Sequence, residues 1–101
     1  MLEVINTGSG QNSATLTKIP GHVLNRGFDF GGSLHIVVKD LELFVANADA
    51  MDSPARLARA VLHSYHTALA QGRPEDDLTT VIRPMEREAN AELHATKPAS
   101  R

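Results

Sequence analysis

The stretch FGGSLHIVVKDLELFVANADA, Phe30 to Ala50, decides how the rest of the chain is read. Between Ser33, which has the chemistry of an N-cap, and Ala50 there is no proline or glycine. Apolar residues recur at Leu34, Val37, Val38, Leu41, Phe44, Val45 and Ala48, the i, i+3, i+4, i+7 rhythm of a helix with one face in a core. At about 100° per residue, Ile36, Leu43, Ala46 and Ala50 form a second, narrower apolar stripe with Lys39 in its middle. The pattern predicts a helix packed on two sides. The wide stripe holds the domain's own core, and the narrow one turns a single ammonium toward something this short chain does not itself supply.

A chain of 101 residues is one domain with an ordinary helical core. Its 42% hydrophobic and 22% charged residues are those of a soluble globular protein, and no apolar run approaches the length needed to span a bilayer. No charged start followed by an apolar stretch and a small-residue cleavage site is present, and there is no cysteine. A cytoplasmic setting without disulfides or thiolate metal sites is therefore expected. The formal charge of −2 counts against a duplex nucleic-acid binder, including a small helix-turn-helix protein, because no basic recognition helix is in evidence.

Before the central stretch, MLEVIN reads as the last turn of a helix, and Thr7-Gly8-Ser9-Gly10 breaks it. Asn12 or Ser13 can cap a short helix through Thr17, and Pro20 fits the first position of another turn that Gly27 closes. Gly27 to Gly32 is a loop anchored by Phe28 and Phe30. After it, Asp52-Ser53-Pro54 signals a helix start, with Leu57, Ala58, Val61, Leu62, Tyr65, Ala68 and Leu69 on one face and Gly72 at the end. Pro74-Glu75-Asp76-Asp77 begins a last helix, with Leu78, Val81, Ile82 and Met85 inward, that Pro84 should kink or end. The expectation is an all-α orthogonal or bundled array of about four to five helices over residues 1–87, with 88–101 a frayed or disordered tail.

Most chemistry-bearing residues have an ordinary reading. Arg56, Arg59, His63 and His66 form a basic stripe, read as a solvated face. His63 and His66 at i, i+3 lack an adjoining carboxylate or cysteine, so no metal site is expected. The glycines near Ser9 make a turn and not a phosphate cradle, because no strand precedes them. Tyr65 is a core residue with its hydroxyl at the margin. Asp40, about 100° from Lys39, is read as holding a neighbouring loop or helix N-terminus. Lys39 is the candidate site residue, against the common alternative of a solvated lysine whose stem covers Ile36 and Leu43.

The ordered set Asn6-Thr7-Gly8-Ser9-Gly10, Ile19-Pro20, Phe28, Gly31, Lys39-Asp40-Leu41 and Gly72 to Asp77 resembles the C-terminal helical domain of β-hydroxyacid dehydrogenases. This is the family of 3-hydroxyisobutyrate dehydrogenase, related to 6-phosphogluconate dehydrogenase. The resemblance covers Leu2 to Arg87. It implies a 6-phosphogluconate dehydrogenase C-terminal-domain-like fold that closes a cleft over NAD or NADP and a small hydroxy acid together with a Rossmann domain. It also implies that Lys39 contacts cofactor and substrate. The G-x-G-x-x-G loop and the family's acid/base lysine are absent from this sequence, and Gly32 stands where members often carry an aromatic residue. On this resemblance the chain is a fragment of a parent enzyme, with no catalytic residue of its own, no tightly bound cofactor, and a homo-oligomeric state. The alternative is a free-standing helical interaction or oligomerisation module built on the Ile36, Leu43, Ala46 and Ala50 stripe.

Overall fold

The computed structural model describes residues 1–95. Its longest element is the helix that the periodicity predicts: α3 runs Leu34–Ala50, after α1 (Leu2–Thr7) and α2 (Ile19–His22) and before α4 (Arg56–Gln71) and α5 (Ile82–Ala89). A π-type turn, Ala14–Lys18, leads into α2, and a 3-10 turn, Leu78–Val81, leads into α5. The described residues contain no strand, and the fold is an all-α array.

The core lies where α3 packs on α4. Val23, Leu34, Val38, Val45, Ala48 and Ala68 are buried, Leu34 completely. Four of these six come from the wide stripe of α3. Four residues expected inward are not, Val61 and Met85 being more than a third exposed and two others more so. Phe44 is 58% exposed and Leu57 79% exposed, because each stands at the rim of its helix's apolar arc, beyond the reach of the opposite helix.

The entry to α3 is held from a distance. Ser33 occupies the N-cap position in extended conformation, but its hydroxyl makes no cap bond and is buried without a partner. The open N–H groups of the first turn are instead taken by main-chain oxygens 39 and 42 residues further on: Leu34 donates to the Asp76 carbonyl at 2.8 Å and His35 to the Pro74 carbonyl at 3.1 Å. Beside them the Leu78 N–H donates to the Gly32 carbonyl at 2.7 Å, which makes one antiparallel bridge between Ser33 and Asp77. The Asp77 carboxylate completes the clamp, accepting the Gly31 N–H at 2.9 Å, the Thr79 N–H at 3.0 Å and the Thr79 hydroxyl. Gly31 turns at φ +118°, a conformation that L side chains rarely adopt, so the clamp selects glycine there.

Four helix boundaries depart from the sequence reading. Asp52-Ser53-Pro54 closes α3 instead of opening α4. Asp52 takes a left-handed conformation and donates to the Asp49 carbonyl at 3.1 Å, while the Ser53 N–H reaches the Ala48 carbonyl at 2.8 Å. These are the paired bonds of a Schellman C-cap, and α4 begins only at Arg56. Pro74 to Asp76 spend their carbonyls on α3, so regular structure resumes only at Leu78, with Asp77 as its cap. Pro84, expected to kink or end the last helix, is the third residue of α5, where an N–H has no helical partner to lose, and the helix continues to Ala89. Near the start, Asn12 is the cap between the two candidates, its Oδ1 accepting from the Ala14 and Thr15 N–H groups, and α2 stops at His22, short of Gly27.

The expected tail falls in two parts. Helix α5 extends through Ala89, Asn90 turns left-handed, and the described residues 91–95 return along the loop before α3, with the Ala95 N–H donating to the Leu24 carbonyl at 3.2 Å. Residues 96–101 lie outside the described part. The return is fastened by Glu86, whose side chain is 10% exposed: it accepts Arg26 Nη1 at 2.6 Å, Arg26 Nη2 at 3.1 Å and the Leu93 N–H at 2.7 Å. The hydrogen bond from Arg26 holds the Glu86 carboxyl below its ordinary pKa, outweighing partial burial, and raises the pKa of the guanidinium.

Truncating Asp77→Ala leaves partly buried donors without acceptors and is expected to cost about 2–4 kcal/mol, lowering Tm by roughly 10–20 °C in a thermal melt followed by circular dichroism. Burial alone would raise the carboxyl pKa of Asp77, but the hydrogen bonds from Gly31, Thr79 and Phe30 bring it below the ordinary value. Asp77 and Glu86 thus both bind their proton less readily folded than unfolded. Their stabilisation is complete above an ordinary carboxyl pKa of about 4 and is lost as pH falls through the lower folded values. Urea unfolding between about pH 5 and pH 2 should show this loss, with a shallower slope in Glu86→Gln.

Candidate functional site

Lys39 projects from the face of α3 opposite Leu34, about 140° round the helix. It is exposed, and among the described residues it has no hydrogen-bond or ion-pair partner. The narrow stripe around it is also uncovered: Ile36 is 52% and Leu43 60% exposed, and Ala46 and Ala50 are open to solvent. This face therefore presents an unpaired ammonium on a strip of aliphatic side chains. Chemically it can hold an anionic group against an apolar wall, as a point charge on a flexible stem.

Asp40 does not do the work expected of it. It is exposed and makes no bond among the described residues, and the loop before α3 is held by Asp77 from 46 residues away. The acidic run at 75–77 reads as a helix-dipole complement from local sequence, and nothing in its spacing points to Gly31. The partnership of Arg26 with Glu86 was likewise unread, since it joins positions 60 apart.

Phe28 and Phe30 do anchor the loop before α3, but through cations. The Phe28 ring lies between the guanidiniums of Arg26 and Arg83, at 4.8 and 4.4 Å from its centroid. Phe30 has the Lys18 ammonium 4.5 Å above its ring and the edge of His22 at 5.4 Å. His22 in turn pairs through Nδ1 with Asp29 at 2.7 Å, a small polar cluster that no sequence spacing announces.

The remaining candidates are structural. Arg59 of the basic stripe pairs with Asp49 and His66 with Glu42 at 3.2 Å, so α3 compensates the stripe with its own acidic residues. His35 approaches the Pro74 carbonyl through Nδ1 at 3.0 Å. Tyr65 is half-buried, and burial, with the charge of Asp77 added, raises the pKa of its hydroxyl. The segment Thr7 to Gly10 is a turn, in which the Gly8 N–H meets the Ile5 carbonyl at 3.2 Å. No group of three potential ligands is placed to hold a metal among the described residues. At Gly32 a Cβ would come within 2.7 Å of Leu78 Cδ2, so Leu78 fills the space that an aromatic side chain at this position needs.

No curated relative matches the sequence. A family model described as the NAD-binding domain of NADP-dependent 3-hydroxyisobutyrate dehydrogenase matches residues 1–85. The match covers every element up to the first turn of α5, including the Lys39 face and the Asp77 clamp. Among the described residues this domain consists of helices and loops, without the strand and glycine-rich phosphate loop that cradle a pyrophosphate elsewhere. From its ordered motifs, its all-α fold and this match, the chain belongs to the NAD-binding domain family of NADP-dependent 3-hydroxyisobutyrate dehydrogenases.

Proposed function

We propose that this chain is the C-terminal helical domain of an NAD(P)-dependent β-hydroxyacid dehydrogenase and forms one wall of the cleft that holds the nicotinamide and a small hydroxy acid. The observation that carries the proposal is the unpaired Lys39 on an uncovered apolar strip. A hydroxyacid carboxylate and a cofactor phosphate are both anions, and either meets the ammonium while Ile36 and Leu43 exclude water from the contact. Hydride transfer belongs to the cofactor, and proton transfer to the acid/base lysine that this sequence lacks. On this reading the isolated chain binds and orients but does not turn substrate over, and a Rossmann domain supplies the rest. A cytoplasmic setting goes with this reading.

A second role on the same helices is oligomerisation, favoured by Phe44, Met51 and Leu57, which are largely exposed on α3, on α4 and between them. Covering side chains of this size is worth about 1.5–3 kcal/mol each, set against the freedom lost on association. It leaves the Lys39 strip free for the cleft.

In an enzyme completed by fusion to a Rossmann domain of the family, Lys39→Ala should lower kcat/KM for the hydroxy acid by on the order of 10²-fold with NADPH saturating. Near-normal activity would remove Lys39 from the cleft, and turnover by the isolated chain would overturn the reading of it as a partial enzyme. Sedimentation analysis tests the second role: the wild type should self-associate and Leu57→Glu should not, whereas a monomeric wild type at high concentration disproves it.

A further inference from the structure

Where the family match ends, at Met85, a separate cavity begins. It is an open groove of about 510 Å³ between α5, the loop around Arg26 and the returning segment, lined chiefly by Arg26, Arg83, Glu86, Arg87, Asn90 and Glu92. Its charge is unevenly settled. Glu86 is neutralised by the two-pronged contact with Arg26 and by the Leu93 N–H. Glu92 is 3.9 Å from Arg26, with its side chain 66% exposed. Arg83 and Arg87 have no carboxylate within ion-pair distance among the described residues. Arg83 lays its guanidinium against Phe28, 4.4 Å from the ring centroid, and Arg87 meets only the neutral Gln71 side chain. Standing at i and i+4 on α5, they are like charges one turn apart, an arrangement that repels until an anion lies between them. At the end of α5 the Arg87 and Glu86 carbonyls accept the Asn90 and Ala91 N–H groups.

We propose that this cavity binds a small phosphorylated molecule, its phosphate between the guanidiniums of Arg83 and Arg87. Planar forks match phosphate oxygens two at a time. The site is independent of the dehydrogenase cleft: it needs neither Lys39 nor a Rossmann domain, and Arg87, Asn90 and Glu92 lie past the matched region. The returning segment is its outer wall, so occupancy also steadies residues 90–95 against the body.

The test is calorimetric titration of the 101-residue chain at low salt with ribose 5-phosphate as probe and ribose as the uncharged control. Saturable one-to-one binding of the phosphate ester and none of ribose is expected. Arg87→Gln should weaken it by about tenfold or more, the worth of one charge-assisted pair. Glu92→Gln, which removes the one carboxylate not fully engaged, should tighten it, a gain that misfolding cannot imitate. Absence of saturable binding, equal binding of ribose, or affinities unmoved by both substitutions would each overturn the site. Inorganic phosphate in a parallel titration identifies the source: equal affinity means the free ion is the occupant, and weaker affinity means an ester.

Discussion

The structure depends on how the N-terminus of α3 is satisfied. A helix entering from a glycine-rich loop carries open N–H groups and a positive dipole end, and the local candidate to meet them, Ser33, has its hydroxyl buried and unpartnered. The remedy is tertiary. Pro74 and Asp76 offer carbonyls to the first turn, Gly32 accepts Leu78, and the Asp77 carboxylate joins Gly31 to the turn before α5. One short segment thus fixes where α3 begins, what conformation Gly31 must hold and where α5 departs. The register of the Lys39 face follows from this, since the orientation of α3 about its own axis is set at its first turn and by Leu34, the one large side chain wholly sealed among the described residues.

The same dependence explains what the amino-acid sequence disclosed and what it concealed. Helix α3 was legible to the residue, because seventeen positions without proline or glycine and with a 3.6 rhythm admit no other regular structure. Its two faces were legible too: the wide stripe supplies most of the buried set, and the narrow one is uncovered. Phe44 and Leu57 were misread because periodicity gives an angle and not a neighbour. Asp52-Ser53-Pro54 was misread because the residues that cap a helix start also tolerate the left-handed turn that ends one. Pro84 was misread because its cost depends on where counting starts, and the 3-10 turn at Leu78–Val81 moves that start forward. The site residues divide likewise. The exposed place of Lys39 on the narrow stripe could be read from pattern, whereas the pairings of Asp77 with Gly31 and Arg26 with Glu86 span 46 and 60 residues and leave no local signature.

Polar fastening carries unusual weight here because the core is thin. Among the described residues six apolar side chains are buried, and two of those are alanines. A domain held in this way keeps its ends in place with charge-assisted contacts: Arg26 and Glu86 join the loop before α3 to α5 and, through Leu93, to the returning segment. Such contacts are short in reach and depend on protonation, so the outer parts of the fold respond to pH before the interface of α3 with α4 does. The cation pairs at Phe28 and Phe30 add to this pattern, using aromatic faces as seats for guanidinium and ammonium groups where a larger domain would bury the rings.

A helix can give only one side to its own core, and α3 spends that side on α4. The aliphatic residues of its far side cannot be brought inward by any small adjustment, because turning α3 to cover Leu43 would expose Val38 and Val45 and break the clamp at Leu34. Nor can α4 reach them, since it already lies on the opposite side. A partner that covered Ile36, Lys39 and Leu43 would have to come from outside the described residues and bring a group that meets an ammonium at the centre of the contact. A purely apolar partner would leave that charge desolvated and unpaired, at a cost of several kcal/mol that the surrounding aliphatic area does not offset. On the proposed reading an anion held in the cleft meets that charge, which a simple hydrophobic seam on this face would leave unpaired.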